Sequence, residues 1–167
     1  DTARRACELG RGLDCRTLVE RALKNKETLD PSTLQKVLAT ETKSCDKGSG
    51  ESCVVLGSLV ELGWSTEADA GAPHERYAKG CAAQQGVACA KIVFGHAAGN
   101  WTSPSSELQS AEHVLEKACD SSHAIVCAAL GIALDKGLGV AQDPLRGKQI
   151  LNDACSHRAI DCDELPQ

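Results

Sequence analysis

Ten cysteines set the strongest limit on how this chain can fold, because they fall in a rhythm. They are Cys7, Cys15, Cys45, Cys53, Cys81, Cys89, Cys119, Cys127, Cys155 and Cys162. Taken as five pairs, the separations within a pair are 8, 8, 8, 8 and 7. The first Cys of each pair follows that of the previous pair by 38, 36, 38 and 36 residues. A fixed period in that range is the mark of a repeat array. Zinc sites need ligands two to four residues apart, so that two thiolates reach one tetrahedral ion. Here seven residues intervene in four pairs and six in the last, and no CxxC occurs. Disulfides fit better, each joining the end of one helix to the start of the next: Cys7–Cys15, Cys45–Cys53, Cys81–Cys89, Cys119–Cys127 and Cys155–Cys162. The alternative is reduced Cys serving as small core residues.

Closing a loop of about nine residues stabilises by about 2.6 kcal/mol in the chain-entropy treatment. That matters in a chain with one Phe, one Tyr and two Trp, whose core must be built from Ala, Leu, Val and Ile. Disulfides in this number imply an oxidising compartment: periplasm, cell surface or medium, with the mitochondrial intermembrane space as an alternative. The net charge of -5 and the scarcity of rings disfavour nucleic-acid binding, which needs a basic face and stacking platforms. The longest apolar run, Ala124 to Leu134, is 11 residues, too short to span a bilayer. There is no N-terminal signal pattern. A start at Asp1 with no Met anywhere reads as a mature or truncated piece of a longer product.

One repeat shows the plan. Cys127-Ala-Ala-Leu-Gly-Ile-Ala-Leu-Asp-Lys-Gly137 has small and apolar residues at helical spacing and ends on glycine. Asp143-Pro144 then opens a second helix, with Asp as N-cap and Pro at the first helical position. Aligned on their cysteines, Gly63, Gly99 and Gly137 each fall ten residues after the Cys that opens helix A. Gly57 and Gly131 fall four after it, where a small residue lets a neighbouring helix approach. Asp69 and Asp143 both precede the Cys ending helix B by twelve residues, and Asp30-Pro31-Ser32 and Ser103-Pro104-Ser105 mark the equivalent turns elsewhere. The pattern predicts helices at 15–24, 32–45, 53–62, 72–81, 89–98, 106–119, 127–136 and 144–155. The units are then about 15–52, 53–88, 89–126 and 127–162, with partial helices at both ends.

The stretch Ala118-Cys119-Asp120, Cys127-Ala-Ala-Leu-Gly131, Gly137-Leu-Gly-Val140, Asp143 and Ala154-Cys155 resembles the Sel1-like repeat in its cysteine-rich form, known from the Helicobacter cysteine-rich proteins. The first unit departs from that pattern, with Val19 and Asn25 at the glycine positions; the second carries Pro73 where Ala is usual. The resemblance implies an all-α, right-handed α/α superhelical solenoid, TPR-related, with a disulfide joining consecutive helices. It also implies a protein- or peptide-binding scaffold. Some members of that group are described as penicillin-binding or β-lactamase-like.

Catalysis finds little support. Ser44-Cys45-Asp46-Lys47 matches S-x-x-K, but no S-D-N or K-T-G follows. There is no G-x-S-x-G, H-E-x-x-H, P-loop or G-x-G-x-x-G, and nothing that calls for a cofactor or metal. His74, His96, His113, His123 and His157 share no ligand spacing, and His96 reads as a satisfied, partly buried side chain. Asn100-Trp101-Thr102 is a glycosylation sequon in form; in a bacterial protein no modification is expected there.

A partner would meet the concave face lined by helix A of each unit. Arg16, Glu20, Ser58, Glu61, Lys91, Ala97 and Asp135 are expected there, exposed and of mixed sign. Trp64 and Trp101 follow the glycine mark in the A–B turns of adjacent units, which puts them on one edge. Trp is favoured at binding hot spots; the alternative is that each covers core under a loop. These features predict a non-catalytic scaffold, such as an accessory subunit of a cell-envelope assembly, with Trp64, Trp101, Glu61, Lys91 and Asp135 as its contact residues. A penicillin-recognising enzyme and a thiol–disulfide assembly factor are the alternatives.

Overall fold

The computed structural model describes residues 5, 7, 9, 12–120, 123–156 and 162–165. The described residues are helical and contain no strand. In chain order the helices are α1 (Gly12–Asn25), α2 (Pro31–Asp46), α3 (Gly50–Glu61), α4 (Glu67–Ala70, a single turn), α5 (Pro73–Ala82), α6 (Gly86–Ala97), α7 (Ser105–Ala118), α8 (Ala124–Lys136) and α9 (Pro144–Ser156), followed by a 3₁₀ turn at Cys162–Glu164. The chain divides into two compact units, Asp1–Gly80 and Cys81–Gln167. The partial helix expected ahead of Cys15 lies largely outside the described residues.

The starts and stops follow local chemistry. Asp30 accepts from the Thr33 amide at 3.0 Å and so caps α2, with Pro31 in its first turn. Asp143 accepts from the Arg146 amide at 3.1 Å and does the same for α9 ahead of Pro144. Gly63, Gly99 and Gly137 have φ of 69°, 76° and 71°, the left-handed turn that ends a helix without a Cβ clash. Where the first unit has Asn25 instead, Lys26 takes the positive φ of 56°.

One expectation needs correction. The A helices begin at Gly12, Gly50, Gly86 and Ala124, three residues before Cys15, Cys53, Cys89 and Cys127. Ser49 and Gln85 supply caps there, accepting from Ser52 and Val87 amides, so the helix opens upstream of the cysteine. Asp69 sits in the α4 turn, where Thr66 Oγ1 donates to its carboxylate at 2.8 Å, and α5 begins at Pro73, one residue from the start that the spacing predicts.

In the first unit, Leu18, Val19, Val37 and Leu59 pack with the Cys7–Cys15 pair, and Leu56 and Ala70 pack with Cys45–Cys53. Tyr77 is fully buried across α3, against Gly57, where a Cβ would come within 2.6 Å of its ring. In the second unit α8 is central: every residue from Val126 to Leu134 is buried, against α6, α7 and α9. Gly131 and Gly147 let α8 and α9 touch, since a Cβ on Gly131 would fall 2.6 Å from Leu151 Cγ and 2.9 Å from Gly147 O.

Candidate binding surface

The staples position everything else. All five cysteine pairs are bonded as disulfides, and Cys45–Cys53, Cys81–Cys89 and Cys119–Cys127 share Cα–Cα distances of 4.7–4.8 Å. Cys7–Cys15 is at 4.6 Å and Cys155–Cys162 at 5.9 Å. Cys53, Cys89 and Cys127 each sit in the first turn of their helix, and their partners Cys45, Cys81 and Cys119 sit in or beside the last turn of the preceding one. Ten bonded cysteines suit an oxidising environment.

The side chains expected to face a partner are less open than their positions suggest. Glu20 and Glu61 are exposed, whereas Arg16, Ser58, Lys91, Ala97 and Asp135 are half-buried. Glu61 also has structural work: Tyr77 Oη donates to its Oε2 at 2.5 Å, and Ser58 Oγ lies 3.4 Å from the same hydroxyl. Burial, and then the adjacent Glu61 carboxylate, push the Tyr77 phenol well above its usual range.

Both tryptophans are half-buried. Trp64, in the first unit, packs against the cluster formed by Leu18, Val19, Val37 and Leu59. Trp101, in the second, lies over Gly95, where any Cβ would collide with the indole, and its Nε1 donates to Ile92 O at 3.3 Å. Each ring therefore covers core in its own unit while leaving part of itself to solvent. Between the sequon residues, Asn100 and Thr102 are exposed. His96 Nδ1 accepts from the Ser103 amide at 3.0 Å, which fixes the tautomer with the proton on Nε2. His123 pairs with Asp120 at 2.9 Å, and His157 lies outside the described residues.

The S-x-x-K residues lie at the C-terminal end of α2. Ser44 O accepts from the Lys47 amide at 3.1 Å in the capping turn, and Lys47 is exposed. Among the described residues no group of His, Cys, Asp and Glu could hold a metal ion, and no helix is long and apolar enough to cross a membrane.

One residue that sequence reasoning passed over is Glu41. It is completely buried in α2, and neither carboxylate oxygen has a hydrogen-bond partner. Burial raises its pKa; the nearby Ser52 hydroxyl and Arg16 guanidinium oppose that to a smaller degree. Arg16 Nε is itself buried without a partner. The signal was available only as a charged residue on the apolar stripe Thr33, Val37, Glu41, Cys45, four residues apart.

No family model matches the chain, and no curated protein is significantly similar to it.

Proposed function

We propose that this protein is a non-catalytic scaffold that binds another protein or a peptide outside the cytoplasm. In this reading its helix pairs stack as a Sel1-like, TPR-related solenoid, and it serves as an accessory subunit of a cell-envelope assembly in the periplasm, at the cell surface or in the medium. The observation that carries it is the recurring unit. A helix ends on a left-handed Gly63 or Gly99, a second helix follows, and a disulfide ties that helix to the next. Repeats of this kind bury one face against neighbours and leave continuous helix faces for partners. The half-exposed Trp64 and Trp101, with Glu61, Lys91 and Asp135 on the A helices, are the residues assigned to that contact.

Photo-crosslinking tests it. A benzoylphenylalanine placed at Glu20, Lys91 or Asp135 of the oxidised protein, in extracts of its own host, should join a single partner from more than one position. Absence of any adduct at all positions overturns the scaffold reading. Two other results would replace it. β-Lactam hydrolysis abolished by Ser44→Ala or Lys47→Ala would make the protein an enzyme. Several thiols alkylated without reductant would favour an exchange factor.

A further inference from the structure

The second unit carries a pocket of about 310 Å³ between the start of α8 and the second half of α9, at the lower end of the range of about 300–1,000 Å³ usual for small-molecule sites. Its lining is apolar at Ala124, Ile150 and Ala154, and both cysteines of the Cys119–Cys127 disulfide form part of its wall. That sets this staple apart from its two equivalents. Cys45, Cys53, Cys81 and Cys89 are all buried, whereas Cys119 is half-buried. Thiol–disulfide exchange needs an incoming sulfur to reach the bond, so access selects among chemically similar disulfides.

The charge of the pocket selects what can approach. Asp120 and Asp153, both exposed, bring two carboxylates to it, and no Lys or Arg is among its lining residues. His123 Nδ1 lies 2.9 Å from Asp120 Oδ1 and adds a positive charge only when protonated. An anionic thiol is therefore repelled here and a cationic one attracted. The Cys45–Cys53 staple has the opposite surroundings, with Arg76 Nη1 3.8 Å from Cys45 Sγ. The two sulfurs in the pocket also differ. Cys127 sits in the first turn of α8, where the positive end of the helix dipole favours a thiolate. Cys119 follows the last residue of α7, where the dipole disfavours one. Cys127 is the better leaving group and Cys119 the more open target.

We infer that the Cys119–Cys127 disulfide is a modification site for a small thiol that carries an ammonium group. The thiol first gives its proton to solvent. Its sulfur then attacks Cys119 Sγ, and a new S–S bond forms there as the bond to Cys127 breaks. The electron pair goes to Cys127 Sγ, which leaves as a thiolate and takes a proton from water. The incoming thiol is oxidised into the mixed disulfide and Cys127 is reduced. Attack by the Cys127 thiolate on the mixed disulfide reverses the step, restoring the staple and releasing the thiol. While the adduct persists, α7 and α8 are no longer joined through this bond, and the added ammonium group has the carboxylates of Asp120 and Asp153 to receive it. The site is independent of the scaffold reading.

The test treats the intact oxidised protein with cysteamine or with 2-mercaptoethanesulfonate, close in size and opposite in charge, compared at equal thiolate concentration. Acid quenching, alkylation, digestion and mass spectrometry then read each cysteine separately, Cys155 and Cys162 included. The cysteamine adduct should appear on Cys119 before any thiol forms at Cys45, Cys53, Cys81 or Cys89, while the far-UV circular dichroism stays native. At low salt cysteamine should outrun the sulfonate at Cys119 by at least about fivefold, and the ratio should shrink at about 300 mM salt, as screening shortens the reach of exposed charges. The Asp120→Asn, Asp153→Asn double variant should lose most of the preference; both positions are exposed, so the fold should be kept. Equal rates for the two reagents, a preference unchanged in the double variant, or thiols forming first at Cys45–Cys53 or Cys81–Cys89 each overturns the assignment. None of these outcomes touches the crosslinking from Glu20, Lys91 or Asp135, so the two proposals fail separately.

Discussion

Replacing Glu41 by Leu should stabilise the first unit, against the usual expectation for removing a charged residue from between helices. Glu41 is fully buried, no well-formed hydrogen bond reaches either oxygen, and Ser52 and Arg16 offset only part of the cost of its burial; leaving a polar group in that state costs about 1–3 kcal/mol. Leu removes the group at similar volume, so a gain of about that size is expected at neutral pH. The sign of the pH dependence follows from linkage. Burial raises the folded-state pKa of Glu41 above the ordinary carboxylate range, so the folded protein holds this proton more tightly than the unfolded chain does. Below the unfolded value both states are protonated and the penalty of burying a charge is absent. As pH rises past the unfolded value and through the folded one, the charge must be buried and stability is lost. The advantage of Glu41→Leu should therefore be largest near neutrality and shrink on acidification toward the unfolded pKa. Trp64 packs on the cluster beside α1 and α3 and reports on this unit. In a Trp101→Phe background its fluorescence follows guanidinium unfolding of the oxidised protein without signal from the second unit. Each kcal/mol should also raise the melting temperature of a unit this size by about 4–8 °C. A loss of about 3–5 kcal/mol on Glu41→Leu, as breaking a buried ion pair produces, would show that Glu41 pairs with Arg16 and would refute the reasoning.

Other outcomes follow from single contacts. Gly131→Ala puts a Cβ 2.6 Å from Leu151 Cγ and should cost about 1–3 kcal/mol as overpacking, with partial recovery on adding Leu151→Ala; thermal melts decide it. Removing one staple with Cys45→Ser and Cys53→Ser should cost about 2.6 kcal/mol in the chain-entropy treatment, read as a lower guanidinium midpoint against the fully oxidised protein. Tyr77 is the sole tyrosine of the chain, so absorbance at phenolate wavelengths isolates it. Because burial and Glu61 raise its pKa, no phenolate should form at about pH 10, where free tyrosine titrates, until the protein unfolds in alkali. An ordinary titration while the far-UV signal stays native would contradict its buried placement.

Much of the helical plan was legible because caps and glycine stops are local chemistry. Asp30-Pro31, Asp143-Pro144 and Gly63, Gly99 and Gly137 each act through their own backbone, and they stand where the spacing put them. The A-helix starts were less legible. Gly50 and Gly86 read as loop, yet the caps at Ser49 and Gln85 bring them into the helix. The α4 turn depends on Thr66 capping a four-residue segment, too short to show any periodicity. The site residues suffered most, because exposure is decided by neighbours distant in sequence. Lys91 and Asp135 sit on the A helices as placed, but packing leaves them half-buried. Trp101 found Gly95, Tyr77 found Gly57, and Glu41 was closed over by α1 and α3, all through contacts that no local pattern announces.

The placement of each disulfide inside the turns it joins divides the loops into two kinds under proteolysis. A cut in the links after α2, α5 or α7 falls between Cys45 and Cys53, Cys81 and Cys89, or Cys119 and Cys127. Such a nick adds one water and releases nothing until the bond is reduced. A cut after α1, α3, α6 or α8 has no covalent bypass, since no disulfide bridges those turns. In a protease-rich compartment the molecule is covalently insured at alternate loops, and fragments found before reduction should end at the others.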